Sequence, residues 1–130
     1  MIQINSVLIA NRGEIACRVI ETARMMGIKT IAVYAESDRH ALHVRQADIA
    51  FSLEGKTASE TYLNTPKLIE VALKAGADAI HPGYGFLSEN ADFVEAVTKA
   101  GLIFIGPDAK TMRVMGDKAA AKIKVSKAGV

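Results

Sequence analysis

Short apolar runs of strand length alternate with helix-patterned segments along nearly the whole chain, and this alternation confines it to a parallel α/β sheet. Val7-Leu8-Ile9-Ala10 is the first run, followed by the turn Asn11-Arg12-Gly13. A helical pattern then extends from Glu14 to Met26, with Ile15, Val19, Ile20 and Ala23 on one side, and Gly27 stops it. Thr30-Ile31-Ala32-Val33-Tyr34 is the next buried run. A strand, a helix and a second strand in this order make a crossover unit, which joins parallel strands.

The pattern continues in the same alternation. Ser37 and Asp38 are placed to cap a short helix over Ala41 to Ala47, and Ile49 to Leu53 gives a third strand. Asn64 or Thr65 ahead of Pro66 starts a helix that runs to Gly76, since proline gives up no needed N–H in the first helical turn. Asp78-Ala79-Ile80 is the fourth strand. A helix from about Ala91 to Ala100, stopped by Gly101, leads to the fifth strand, Leu102-Ile103-Phe104-Ile105. Two short helices are expected beyond Gly106-Pro107. The last, amphipathic from Lys118 to Val130, runs into Ala128-Gly129-Val130 as if toward more protein.

Five strands alternating with helices predict a doubly wound α/β fold, an open parallel sheet with helices on both faces. With 130 residues the chain suits one domain and one modest core. A strand order of 3-2-1-4-5 would set strands one and four side by side. Their carboxyl ends would then flank the crevice where such sheets hold ligands, with Asn11-Arg12-Gly13-Glu14 facing the loop His81 to Asn90.

That loop, His81-Pro82-Gly83-Tyr84-Gly85-Phe86-Leu87-Ser88-Glu89-Asn90, spends two glycines, a proline and an aromatic directly after a strand. The glycines permit a sharp turn or close approach of a ligand, Pro82 stiffens the entry, and Tyr84 offers a flat face with a polar tip. A dinucleotide fingerprint is absent: only Gly13 lies in the first turn, and the third position after Gly83 and Gly85 falls on Ser88. Nor does Gly116-Asp117-Lys118 complete a phosphate loop.

Other chemistries are thinly supported. No apolar run approaches the roughly 20 residues of a membrane span, so a soluble, non-secreted protein without membrane partners is expected. The single cysteine, Cys17, excludes a disulfide framework and reads as a small packing residue. The basic residues Lys110, Arg113, Lys118, Lys122, Lys124 and Lys127 cluster near the end without interleaved aromatics, which argues against nucleic acid. His40 and His43 read as surface histidines without a third metal ligand, and Glu14 and Glu89 as capping groups or partners of Arg12. Asp117 reads as a helix cap, and Met25, Met26, Met112 and Met115 as packing residues.

Four motifs occur together in order: Ile9-Ala10-Asn11-Arg12-Gly13-Glu14-Ile15-Ala16, the run His81 to Asn90, Phe104-Ile105-Gly106-Pro107 and Met115-Gly116-Asp117-Lys118. Together they resemble biotin carboxylase, over essentially all 130 residues. The chain looks most like the amino-terminal part of the carboxylase component of an acyl-CoA carboxylase, with pyruvate and urea carboxylases close behind. The resemblance implies a Rossmann-like domain over residues 1–130 that precedes an ATP-grasp domain.

In the complete enzyme the resemblance implies ATP, magnesium and biotin as cofactors. Bicarbonate is phosphorylated to carboxyphosphate, and the carboxyl group passes to a biotin nitrogen. Lys118 then matches the family's first ATP-contacting lysine, and Tyr84 and Gly85 match the loop that walls the biotin ureido ring. Arg12 and Glu14 would shape the crevice floor, and no residue of this stretch is assigned to catalysis or to a metal. Implied partners are the rest of the carboxylase chain, a biotin carboxyl carrier domain and a carboxyltransferase component, with homodimers common. The family's compartment would be the cytoplasm, or the mitochondrial matrix in a eukaryote. These residues alone lack the nucleotide lid, the magnesium carboxylates and the general base, so they are expected to be inactive. The alternative is a small α/β binding module without chemistry.

Overall fold

The computed structural model describes residues 3–127, with side chains through Lys118. β1 (Ser6–Ile9), β2 (Lys29–Tyr34), β3 (Ile49–Ser52), β4 (Ala79–His81) and β5 (Ile103–Phe104) form one sheet in the order β3-β2-β1-β4-β5, every pairing parallel. The helices are α1 (Gly13–Met25), α2 (Leu42–Gln46), α3 (Thr65–Ala75), α4 (Ala91–Lys99) and α5 (Ala109–Lys127). β1 is central and buried at all four positions, which is why it reads as an unbroken apolar run.

Alternation along the strands builds two cores. Leu8, Ile31, Val33 and Ile80 point to the face covered by Leu68 and Ala72 of α3 and by Phe93 and Val97 of α4. Val7, Ile9 and Ala79 point to the other face, against Ala16, Ile20 and Ala23 of α1. Phe93 is fully buried and meets Phe104 edge to face at 6.1 Å. Its burial contributes roughly 2–3 kcal/mol.

The amino ends of the strands are fastened by carboxylates. Asp78 accepts from the amides of Asn5 (2.8 Å) and Ser6 (3.1 Å), and Asp48 accepts from the amide (2.8 Å) and hydroxyl (3.0 Å) of Thr30. Asn64 caps α3 by accepting from the Lys67 amide, as its position before Pro66 predicts, and Gly76 closes that helix in the left-handed region.

Several expectations are corrected. The chain continues from Pro107 into one helix, α5, instead of two short ones. Gly116 lies inside it, where a glycine costs about 1 kcal/mol but does not break a helix held elsewhere. Asp117 is therefore mid-helix and no cap; Asp108 has that role, accepting from the Thr111 amide at 2.8 Å. Arg113 anchors α5 to α4 through Asp92 (3.0 Å) and Glu95 (2.9 Å). The amphipathic character expected for 118–130 and the stop at Ala128-Gly129-Val130 lie outside the described residues and side chains. Of the four methionines read as packing residues only Met112 is buried, because Met25 and Met26 fall past the Ala16-Ile20-Ala23 stripe and Met115 lies off the seam with α4.

Candidate functional site

The strand order places the ends of β1 and β4 next to each other, and the turn after β1 does more than pass by the glycine loop. Asn11, 1 % exposed, donates both amide hydrogens of its side chain, to the carbonyls of Pro82 (2.9 Å) and Tyr84 (2.7 Å). Its Oδ1 accepts from the Arg12 amide at 2.8 Å, so the carboxamide is held from both ends. A backbone bond from the Ala10 amide to the His81 carbonyl (2.9 Å) continues the sheet to the mouth of the loop.

Gly83 lies under this staple at φ +67°, where a Cβ would come within 2.6 Å of Asn11 Nδ2 and 2.9 Å of Ile15 Cγ2. The position demands glycine for both backbone and space. Gly85 shares the left-handed conformation but has open space around it. Tyr84, between them, is 76 % exposed. A flat ring thus stands in solvent beside bare backbone, on a base that cannot shift without breaking buried hydrogen bonds. His81 Nδ1 accepts from the Gly83 amide at 3.0 Å, which puts the ring proton on Nε2, and burial holds its pKa below the ordinary histidine value.

A second network lies on the β2 side of the crevice. Arg12 binds Asp38 through two parallel bonds of 2.7 Å each, from Nε to Oδ2 and from Nη2 to Oδ1. Asp38 also accepts from the Tyr62 hydroxyl at 2.7 Å, and that hydroxyl accepts from the Ala35 amide at 3.0 Å. The Arg12 bond, helped by the Tyr62 hydroxyl and opposed by burial, holds the Asp38 carboxyl at about 2. Tyr62 is pushed well above its usual value, mainly by burial. The Tyr62 ring stacks on Phe86 of the glycine loop, centroids 5.2 Å apart.

Asp38 was expected to cap the helix over 41–47; it sits instead in a 3-10 turn at Glu36–Asp38, and α2 has no side-chain cap. Arg12 therefore pairs with Asp38 and not with Glu14, whose partner one turn along α1 is Arg18. His43 is also corrected: it is buried, its Nε2 hydrogen-bonded to the Val33 carbonyl at 3.0 Å, while His40 is exposed. Among the described residues no group of three or more His, Cys, Asp or Glu is placed to hold a metal. Cys17 is half-buried on α1, its thiol pushed up by burial and by Glu14.

Tyr84 and Gly85 thus sit on the stapled loop. Lys118 is exposed on α5, and among the described residues no hydrogen bond or ion pair joins it to that loop. Sequence reasoning singled out the two loops but missed Asn11, Asp38 and Tyr62 as the groups that bind them together.

Burial depresses the pKa of His43, so the unfolded chain binds that proton first. The stability of the neutral imidazole is complete above about 6.5 and is lost as pH falls through the lower folded value, with His81 acting in the same direction. Asp38 adds stability that is complete above about 4 and is lost as pH falls toward about 2. Urea midpoints should be flat near pH 7–8, fall gently below about pH 6.5 and fall again below about pH 4. A midpoint unchanged from pH 7 to pH 3 would contradict this arrangement.

The family described as biotin carboxylase, N-terminal domain, matches residues 3–112. The mitochondrial methylcrotonoyl-CoA carboxylase subunit alpha of Oryza sativa subsp. japonica is 56 % identical over 127 residues, which is 98 % of this chain and 17 % of that protein. The biotin-dependent acyl-coenzyme A carboxylase alpha3 subunit of Mycobacterium leprae is 57 % identical over 120 residues, 92 % of this chain and 20 % of that one. Among solved structures, the K. lactis urea amidolyase aligns with a TM-score of 0.88 at 48 % identity, covering 98 % of this chain and 8 % of the other. The biotin carboxylase domain of a thermophilic 2-oxoglutarate carboxylase bound to ADP aligns at 0.86 and 48 % identity, over 98 % and 28 %. The chain therefore spans about a fifth or less of the length of these two curated relatives.

Proposed function

Since this chain belongs to the biotin carboxylase N-terminal domain family, we propose that it serves as the first domain of a biotin-dependent carboxylase, in the ATP- and bicarbonate-driven carboxylation of biotin. The observation that carries this reading is the loop 82–86, stapled by Asn11 so that Tyr84 and Gly85 present a flat ring and open backbone. That pairing suits a planar, neutral ring such as the ureido group of biotin. Tyr84 and Gly85 wall it, and the rigid loop limits the orientations it can take, a contribution made by positioning alone.

Lys118 is assigned to ATP. Its exposed ammonium supplies a positive charge to phosphate oxygens once a following domain closes over α5, and α5 is held in place by the Arg113 bridge to α4. ATP with magnesium supplies the activation of bicarbonate; none of the residues described here is assigned to that chemistry. One lysine in an open setting holds a nucleotide weakly, so the 130-residue chain alone is inactive in this reading. Its partners are the following ATP-grasp domain of the same polypeptide, a biotin carrier domain and a carboxyltransferase. The compartment is the cytoplasm or, by analogy with the relatives named as mitochondrial, the mitochondrial matrix. No described helix is long and apolar enough to cross a membrane.

The test uses the intact carboxylase polypeptide that carries this domain. Lys118→Gln should raise the KM for ATP about tenfold or more while leaving the KM for free biotin near its starting value. An unchanged KM for ATP would remove Lys118 from the nucleotide site.

A further inference from the structure

Upstream of Tyr84 the glycine loop is fixed by Asn11, but downstream it is fixed by something else. Phe86 holds φ +44°, a left-handed conformation that strains a non-glycine residue. Such a residue stays put only where its surroundings determine it, and here the surroundings are Tyr62. That ring is 2 % exposed, and its hydroxyl donates to Asp38 while accepting from the Ala35 amide. Turning or withdrawing the ring would break both bonds. Asp38 in turn is locked by the two-bond pair with Arg12, next in sequence to the Asn11 staple. Both clamps on the loop therefore start from the same turn after β1.

We propose that Tyr62 is a positioning residue for the Tyr84-Gly85 segment, transmitting the fixed geometry of the Arg12–Asp38 pair to the glycine loop through its stack on Phe86. Tyr62 touches no reacting group. It rests on the reading of Tyr84 and Gly85 as the biotin wall, and its role is to hold that wall at one height and angle. With both ends of a short segment fixed, the exposed dipeptide between them loses most of its freedom before any ligand arrives.

The test is steady-state kinetics with free biotin in the intact carboxylase polypeptide. Tyr62→Leu, which removes stack and hydroxyl, should raise the KM for biotin about tenfold and leave the KM for ATP within about twofold. Tyr62→Phe keeps the ring on Phe86 but loses the bonds to Asp38 and Ala35, and should recover only part of that loss; full recovery would remove the Arg12–Asp38 pair from the positioning role. Phe86→Ala removes the stack from the more exposed side and should reproduce the Tyr62→Leu effect, and it carries the test if Tyr62→Leu does not fold. Equal increases in both KM values, or an unchanged biotin KM in a protein where Tyr84→Ala raises it, would overturn the positioning role. An unchanged biotin KM for Tyr84→Ala itself would overturn the biotin reading, and the proposal with it.

Discussion

Gly83→Ala should destabilise this domain by about 3–4 kcal/mol, a large part of the roughly 5–15 kcal/mol that holds a domain of this size together. Two causes add. The backbone at φ +67° charges a Cβ about 1–2 kcal/mol. The new methyl would also lie 2.6 Å from Asn11 Nδ2 and 2.9 Å from Ile15 Cγ2, so the amide must leave the Pro82 and Tyr84 carbonyls, at about 1 kcal/mol for each bond. Gly85→Ala is the control, with nearly the same φ and nothing within 4 Å, and should cost only the backbone share of about 1–2 kcal/mol. Urea denaturation of the two variants separates the terms. Equal losses would mean that backbone strain alone matters and the staple contributes nothing.

The second large effect is expected at Asp38. Asp38→Ala leaves Arg12 without its carboxylate and the buried Tyr62 hydroxyl without its acceptor, and should cost about 2–4 kcal/mol. Half of the Arg12 side chain is exposed, so water relieves part of the cost on that side. Asp38→Asn retains an acceptor for Tyr62 and should recover part of the loss. Because the carboxyl is held at about 2 by Arg12, the variant should also have a shallower fall in stability below pH 4 than the parent. The remainder comes from Asp48, Glu60, Glu95 and Asp108, whose hydrogen bonds hold their carboxyls below the usual range. Urea midpoints of parent and variant at pH 7 and pH 3 measure both effects, and a fall as large in Asp38→Ala as in the parent would assign it wholly to the histidines and the other carboxylates.

The fold was legible because its signals are local and periodic. Val7 to Ala10 and Thr30 to Tyr34 are apolar on both faces, Asn64-Thr65-Pro66 marks a helix start, and the crossover units leave parallel pairing as the outcome. The meeting of the two loops followed from strand order, and β1 does pair with β4. What could not be read were contacts across long sequence separations. Asn11 looks like an ordinary turn residue, and nothing near it in the chain shows that its amide serves carbonyls 71 and 73 positions away. Asp38 follows Ser37 in a sequence well suited to capping, yet Arg12, 26 residues earlier, takes its carboxylate, since a two-bond ion pair outcompetes a cap. His43 is polar by composition but packs inward because its Nε2 finds the Val33 carbonyl. Gly116 signals a break locally, but one helix passes through it, anchored to α4 by Arg113.

The central claim is that these residues are part of an ATP-dependent biotin carboxylase. The most direct measurement is to isolate the native polypeptide with an antibody against this domain, determine its mass, and follow labelled bicarbonate into free biotin with and without ATP. The account predicts a polypeptide several times heavier than this chain and label incorporation that requires ATP. A native polypeptide of this chain's own mass, fixing no bicarbonate with ATP present, would contradict it and leave the stapled glycine loop as the surface of a binding module.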